Sequence, residues 1–169
     1  MDESANYSYN NLIFFLRMES TMKVGIISDT HGVFREDWLP HLTECDYLIH
    51  AGDINTKSCY EKLNSLGIPI YFVRGNCDHG EWATYLPEFL TVPIGGRLFY
   101  VVHNRSDLPF DLTDADFIIF GHTHCYTCYD RFGKIFLNPG SAGQPRGDSR
   151  SMAIIELTED AYDIQRIYL

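Results

Sequence analysis

From Lys23 onward, short apolar runs alternate with polar segments that carry helical spacing or turn residues. The run "KVGIIS" (23–28) is rich in β-branched residues and stops at "DTHG", which predicts a strand ending in a loop. "DYLIHAGD" (46–53) and "IPIYFVRGN" (68–76) repeat that form. Between them, "TKSCYEKLNSLG" (56–67) places apolar residues at helical spacing and stops on glycine, so it predicts a helix. "REDWLPHL" (35–42) predicts a turn or two of helix, limited by Pro40. Strands alternating with helices imply an α/β layer on a largely parallel sheet.

The second half is β-rich and meandering. "FLTVPIGGRLFYVVH" (89–103) predicts two strands around a Gly-Gly turn, and "DFIIF" (116–120) a buried strand. "CYTCYDRFGKIFLNPGS" (125–141) predicts a hairpin turning at Phe132–Lys134, and "MAIIELTEDAYDIQRIYL" (152–169) another. Together the halves predict two sheets packed face to face with helices outside. No internal repeat, low-complexity tract or linker interrupts the chain after Met22, so one domain is expected over 22–169.

Composition narrows the classes. A formal net charge of −10, with no Lys/Arg cluster, argues against a nucleic-acid partner. Five cysteines form no disulfide framework, and the lone Cys125/Cys128 CxxC lacks a second pair, so a reduced, cytoplasmic setting is the simplest inference. Residues 1–21 stand apart: "LIFFL" is too short to span a membrane and the acidic start is wrong for a secretory signal. They are expected to be an extension outside the fold.

The chemistry lies where the apolar runs end. One ends at Asp29-Thr30-His31, one at Gly52-Asp53, one at Gly75-Asn76-Cys77-Asp78, one at His103 and one at Gly121-His122-Thr123-His124. Each alone has an ordinary explanation, such as a turn residue, a helix cap or a surface histidine. Ordinary explanations do not account for five strand ends that each supply Asp, Asn or His, and α/β sheets build their sites beyond the carboxyl ends of their strands. Imidazoles, carboxylates and an amide oxygen without thiolate suit Mn²⁺, Fe²⁺, Ni²⁺ or Zn²⁺. Asp29, His31, Asp53, Asn76, His103, His122 and His124 are too many ligands for one ion and fit two ions sharing a carboxylate. Such a pair points to a two-metal hydrolase of phosphate esters.

The ordered motifs "SDTHG", "GD", "GNCD", "H" and "GHTH", followed by "NPGS", resemble the calcineurin-like metallophosphoesterase superfamily over residues 22–169, and within it the small single-domain phosphodiesterases of bacteria and archaea. The resemblance implies a four-layer αββα sandwich, with two mixed β-sheets flanked by helices. It further implies that Asp29, His31 and His124 bind one metal and Asn76, His103 and His122 the other. Asp53 would bridge the two ions, manganese being the expected metal. Asp53, Asn76, Cys77 and Asp78 are the expected catalytic residues, acting on a small or nucleotide-like phosphodiester.

Two positions depart from the superfamily pattern. Many members carry histidine where Cys77 stands, and there it assists as a general acid or stabilises the transition state. A thiol with an ordinary pKa near 8.5 is a poorer proton donor, so diesters with good leaving groups should be favoured over monoesters. Asn104 stands where glycine usually follows the histidine equivalent to His103. Asparagine tolerates left-handed backbone better than most residues, so His103 is still expected to ligate. Arg146, in "NPGSAGQPRGDSR", is a candidate for meeting a substrate phosphate, while Asn138 and Ser141 read as turn-forming. The competing functions are a phosphomonoesterase or pyrophosphatase on the same metals, and a non-catalytic scaffold like the retromer subunit of this superfamily. No membrane contact is expected, and homo-oligomerisation is left open.

Overall fold

The computed structural model describes residues 21–169. Apart from Thr21, the expected extension over residues 1–21 lies outside the described residues. In the first sheet, β1 (Met22–Ile27), β2 (Tyr47–His50) and β3 (Ile70–Phe72) run parallel, while β9 (Ser151–Leu157) and β10 (Tyr162–Tyr168) add antiparallel strands, in the order β10-β9-β1-β2-β3. The second sheet has the order β4-β5-β6-β8-β7. Its β5 (Arg97–Val102), β6 (Phe117–Ile119) and β8 (Lys134–Pro139) are parallel, and β4 (Phe89–Ile94) and β7 (Tyr126–Arg131) are antiparallel edges. Both sheets are thus mixed, as expected.

The period-two alternation of strand side chains decides which residues meet. Val24 and Ile26 of β1, Ile49 of β2, and Ala153, Ile155 and Leu157 of β9 face the second sheet. They join Phe99 and Val101 of β5, Phe117 and Ile119 of β6, and Ile135 and Leu137 of β8 in one buried layer. Phe99 and Phe117 stack there with ring centroids 4.6 Å apart. Truncating either ring to alanine is expected to cost about 3–5 kcal/mol.

The intervening residues face outward. Ile27, Leu48, Met152 and Ile154 pack under Trp38, Leu42, Cys59 and Leu63. The cover is a 3₁₀ turn at Glu36–Trp38, a single helical turn α1 (Leu39–Leu42) and α2 (Lys57–Asn64). Pro40 sits at the start of α1, where its missing N–H is not needed. Thr56 caps α2, its side chain accepting from the Cys59 N–H at 3.2 Å. A further turn, α3 (Glu81–Thr84), which the apolar pattern does not announce, follows the third strand loop.

Over the second sheet, Tyr100, Val102, Ile118, Phe120 and Phe136 are covered by Leu108, Leu112 and Ala115. They belong to an irregular segment with one 3₁₀ turn at Arg105–Asp107, so this outer layer is thin. Among the described residues, no helix is long and apolar enough to cross a membrane.

Candidate metal centre

Because β1, β2 and β3 are parallel in one sheet and β5 and β6 in the other, their carboxyl ends reach one edge of the sandwich. The β1–β2 pairing continues past the strands: Asp29 N–H donates to Gly52 O at 3.0 Å and His31 N–H to Asp53 O at 3.0 Å. The chain then turns abruptly. Asp29, His31, Asp53, His122 and His124 all have positive φ, at 53°, 47°, 57°, 70° and 60°. Left-handed backbone costs a non-glycine residue roughly 1–2 kcal/mol, and such residues gather at functional sites where the surroundings enforce them. The conformation turns Asp29, His31, Asp53 and His124 into one cluster and His122 toward Asn76 beside it.

The first group is Asp29, His31, Asp53 and His124, each offering an atom within 4.8 Å of the others. His31 Nε2 lies 3.1 Å from His124 Nε2, and His124 Nε2 lies 3.3 Å from Asp29 Oδ1. The second group centres on Asn76 Oδ1, 2.9 Å from His122 Nδ1 and 3.1 Å from His103 Nε2. Asp53 Oδ2 stands between the groups, 3.7 Å from His31 Nε2 and 3.3 Å from His103 Nε2. All seven residues singled out in the sequence therefore converge.

The donor set fits divalent ions on evidence internal to the protein. His124 Nδ1 donates to the Gln144 carbonyl and His103 Nδ1 to the Ala51 carbonyl, so each neutral ring turns its Nε2 lone pair into the site. His103 Nε2, Asn76 Oδ1 and Asp53 Oδ2 are then mutually facing acceptors, an arrangement that needs a proton or a cation between them. Asp29 Oδ1 is buried without a hydrogen-bond partner, although Asp29 Oδ2 accepts from Ser28 Oγ and the His122 N–H. A buried, unpartnered carboxylate oxygen is costly unless something positive meets it.

The pKa directions follow. Burial pushes Asp29 up, and it pushes His31 and His124 down, the nearby Arg146 charge adding to that lowering. Burial also opposes the charged forms of Asp53 and His103, but without an ion a proton on His103 Nε2, donated to Asp53 Oδ2, outweighs it. Asp53, helped by the Cys77 N–H, is held below the usual carboxylate range, and His103 is raised.

The remaining sequence candidates divide. Asp78, expected among the catalytic residues, instead has a buried carboxylate that accepts from three backbone N–H groups, of Asp53, Asn55 and Gly75, at 3.1, 2.6 and 2.8 Å. It clamps the β2 and β3 loops and offers little to a substrate. Cys77 sits at the rim, its N–H donating to Asp53 Oδ1 at 2.8 Å, and burial with the Asp53 charge raises its thiol. Asn104 is extended, with φ −102°, and caps the 105–107 turn by accepting from Ser106 N–H. The left-handed backbone considered for it is not needed, and His103 stays in place beside it. Asn138, expected in a turn, lies instead in β8, and Ser141 in the loop that follows it. Asn138 Nδ2 donates to Gly121 O at 2.7 Å and Ser141 Oγ to Asp29 O at 2.7 Å, holding the ligand loops. Arg146 is exposed.

Sequence reasoning missed His50. It is fully buried at the end of β2, its Nδ1 accepting from Gly52 N–H at 3.2 Å and its Nε2 lying 3.1 Å from Thr30 Oγ1. The available signal was a histidine in the otherwise apolar "YLIH".

A family model for the calcineurin-like phosphoesterase superfamily domain matches residues 22–160. The chain belongs to this superfamily. It is 32% identical over 158 residues to the probable metallophosphoesterase YsnB of Bacillus subtilis, spanning 85% of this chain and 89% of that protein. Its fold is similar to that of an archaeal phosphodiesterase (24% identity, TM-score 0.69, 88% of this chain and 100% of the other). It is equally similar to Vacuolar Protein Sorting 29 from Cryptosporidium parvum (20% identity, TM-score 0.69, 88% and 98%). Membership of the superfamily implies divalent metal binding, and the four-residue cluster around Asp29 is a place for it.

Proposed function

We infer that this superfamily member is a two-metal-dependent phosphodiesterase acting on a small phosphodiester. The observation that carries the reading is the position of Asp53 Oδ2 between two separate ligand groups. Asp29, His31 and His124 would hold one ion, Asn76, His103 and His122 the other, and Asp53 both. Bound divalent ions, manganese foremost with iron, nickel or zinc as substitutes, would supply a water of lowered pKa and offset charge developing on the phosphoryl group. Asp53, held ionised at all working pH, keeps the two ligand groups in register. Arg146 would pair with a phosphoryl oxygen from the rim. Cys77, with its thiol raised, stays protonated and donates poorly at neutral pH, so leaving groups that depart without strong proton donation are favoured. The five free thiols support a cytoplasmic setting.

The competing scaffold reading shares the fold, but it does not require seven filled ligand positions or strained backbone at five of them. The experiment is to strip the protein with a chelator, restore Mn²⁺, and follow bis(p-nitrophenyl) phosphate against the monoester. The account expects diester turnover in excess of monoester turnover, lost in Asp53→Ala. Metal binding without turnover of either ester would favour the scaffold.

A further inference from the structure

Beside Asn76, His103 and His122 the surface opens into a groove of about 510 Å³. Its walls are the loop after β3, which contributes Arg74 and His79, with Glu88 beside them, and the 3₁₀ turn after β5, which contributes Asn104 and Asp107. Small-molecule pockets of this size are usually lined by aliphatic and aromatic side chains, with a few polar groups for orientation. Among the described residues, this one is lined by glycine and polar side chains alone.

We propose that the groove seats the alcohol portion of the phosphodiester and selects a small, uncharged, hydroxyl-rich alcohol of the glycerol or sugar kind over a nucleoside. The proposal rests on the phosphodiesterase reading and narrows it. Nucleobases are held by stacking on aromatic rings or guanidinium planes; among the described residues no Phe, Tyr or Trp lines the groove, its Arg74 is tied to Glu88, and His79 is its one ring outside the two metal-ligand groups. A second phosphate is disfavoured too. The Arg74 guanidinium is paired with Glu88, which leaves the Asp78 and Asp107 carboxylates without a cationic partner among the described residues.

Hydroxyl groups both donate and accept, and the walls offer both functions. Asp107 Oδ1 accepts from Ser106 Oγ at 3.3 Å, while its Oδ2 has no hydrogen bond among the described residues. Asn104 uses its Oδ1 on the Ser106 N–H, and its NH₂, which makes no hydrogen bond among the described residues, is a spare donor. The Asp78 carboxylate, although it reaches the groove, is committed to backbone N–H groups and contributes only shape.

The test uses the Mn²⁺-loaded full chain with three diesters. Bis(p-nitrophenyl) phosphate reports on the centre itself. Di-glycerol phosphate and dithymidine phosphate both expel a basic alkoxide, so with Cys77 a poor proton donor both should turn over more slowly than bis(p-nitrophenyl) phosphate, and their ratio at matched leaving group reports on the groove. The proposal expects kcat/KM for di-glycerol phosphate at least tenfold above that for the dinucleoside, with most of that ratio lost in Asp107→Leu. Turnover of bis(p-nitrophenyl) phosphate with the dinucleoside equal or preferred would overturn the groove assignment alone. Absence of turnover of every diester would overturn the phosphodiesterase reading. The groove is then decided by calorimetric binding of glycerol 3-phosphate against thymidine 5′-monophosphate. Tighter glycerol phosphate binding, weakened in Asp107→Leu, upholds the selectivity, and equal or tighter nucleotide binding refutes it.

Discussion

Acid should loosen this protein through a histidine that touches no substrate. His50 is wholly buried, and burial pushes its pKa from an ordinary 6.5 down to about 3. A group whose folded pKa is depressed is protonated first in the unfolded chain. The stability that neutral His50 confers is therefore complete above pH 6.5 and is lost as pH falls toward 3. One proton is taken up on unfolding across that window, which amounts to about 1.4 kcal/mol per pH unit. Between pH 7.5 and pH 5 the loss is about 2 kcal/mol. In His50→Gln, which keeps a donor and an acceptor near Thr30 and Gly52 but does not titrate, that part of the pH dependence should vanish. The assay is urea unfolding of chelator-treated wild type and variant at pH 7.5, 6 and 5. The other titrating groups of the centre are common to both proteins and cancel in the difference of differences. Equal pH dependence in the two proteins would refute the argument.

Asp29→Asn should raise apo-protein stability by about 1–2 kcal/mol in urea unfolding, because it removes a buried unpartnered carboxylate oxygen and lets an amide N–H reach His124 Nε2. The same variant should lose most of the rise in Tm that Mn²⁺ gives wild type. A Cβ at Gly75 would lie 2.2 Å from both the backbone N and Oδ1 of Asp53. Gly75→Ala should therefore cost about 1–3 kcal/mol of stability and weaken metal binding at least tenfold by calorimetry, since the Asp53 loop must shift. Cys77→His, which places a better proton donor at the rim, should raise the monoester-to-diester rate ratio about tenfold or more; an unchanged ratio would exclude the thiol as the source of the preference.

Most of the architecture was legible because its strands are short apolar, β-branched runs ended by turn residues, buried on both faces with Val24, Ile26, Phe99 and Val101 turned inward and apolar neighbours such as Ile27 and Val102 outward. The Gly-Gly turn and the hairpin at Phe132 and Gly133 also fell where turn chemistry placed them, all four residues having positive φ. The α3 turn was not legible, since four residues of "EWAT" carry no helical period. Nor was the thinness of the layer over the second sheet, where Leu108 and Leu112 cover the strands without forming a helix. At the centre, residue type and strand-end position identified the seven candidate ligands. The supporting partners were harder to see. Asp78 looks like a catalytic carboxylate in "GNCD", and only the fold reveals that three N–H groups claim it. The carbonyls of Ala51 and Gln144 that orient His103 and His124 have no side-chain signature at all.

One carboxylate, that of Asp53, is proposed to serve two ions. This double role is tested most directly by counting metal per chain after saturation with Mn²⁺ and desalting, for wild type and for Asp53→Asn, with bis(p-nitrophenyl) phosphate turnover measured on the same samples. We expect two ions per wild-type chain, at most one retained by the variant, and loss of turnover with the lost ion. A single ion in active wild-type protein, or two ions and full turnover in Asp53→Asn, would contradict it.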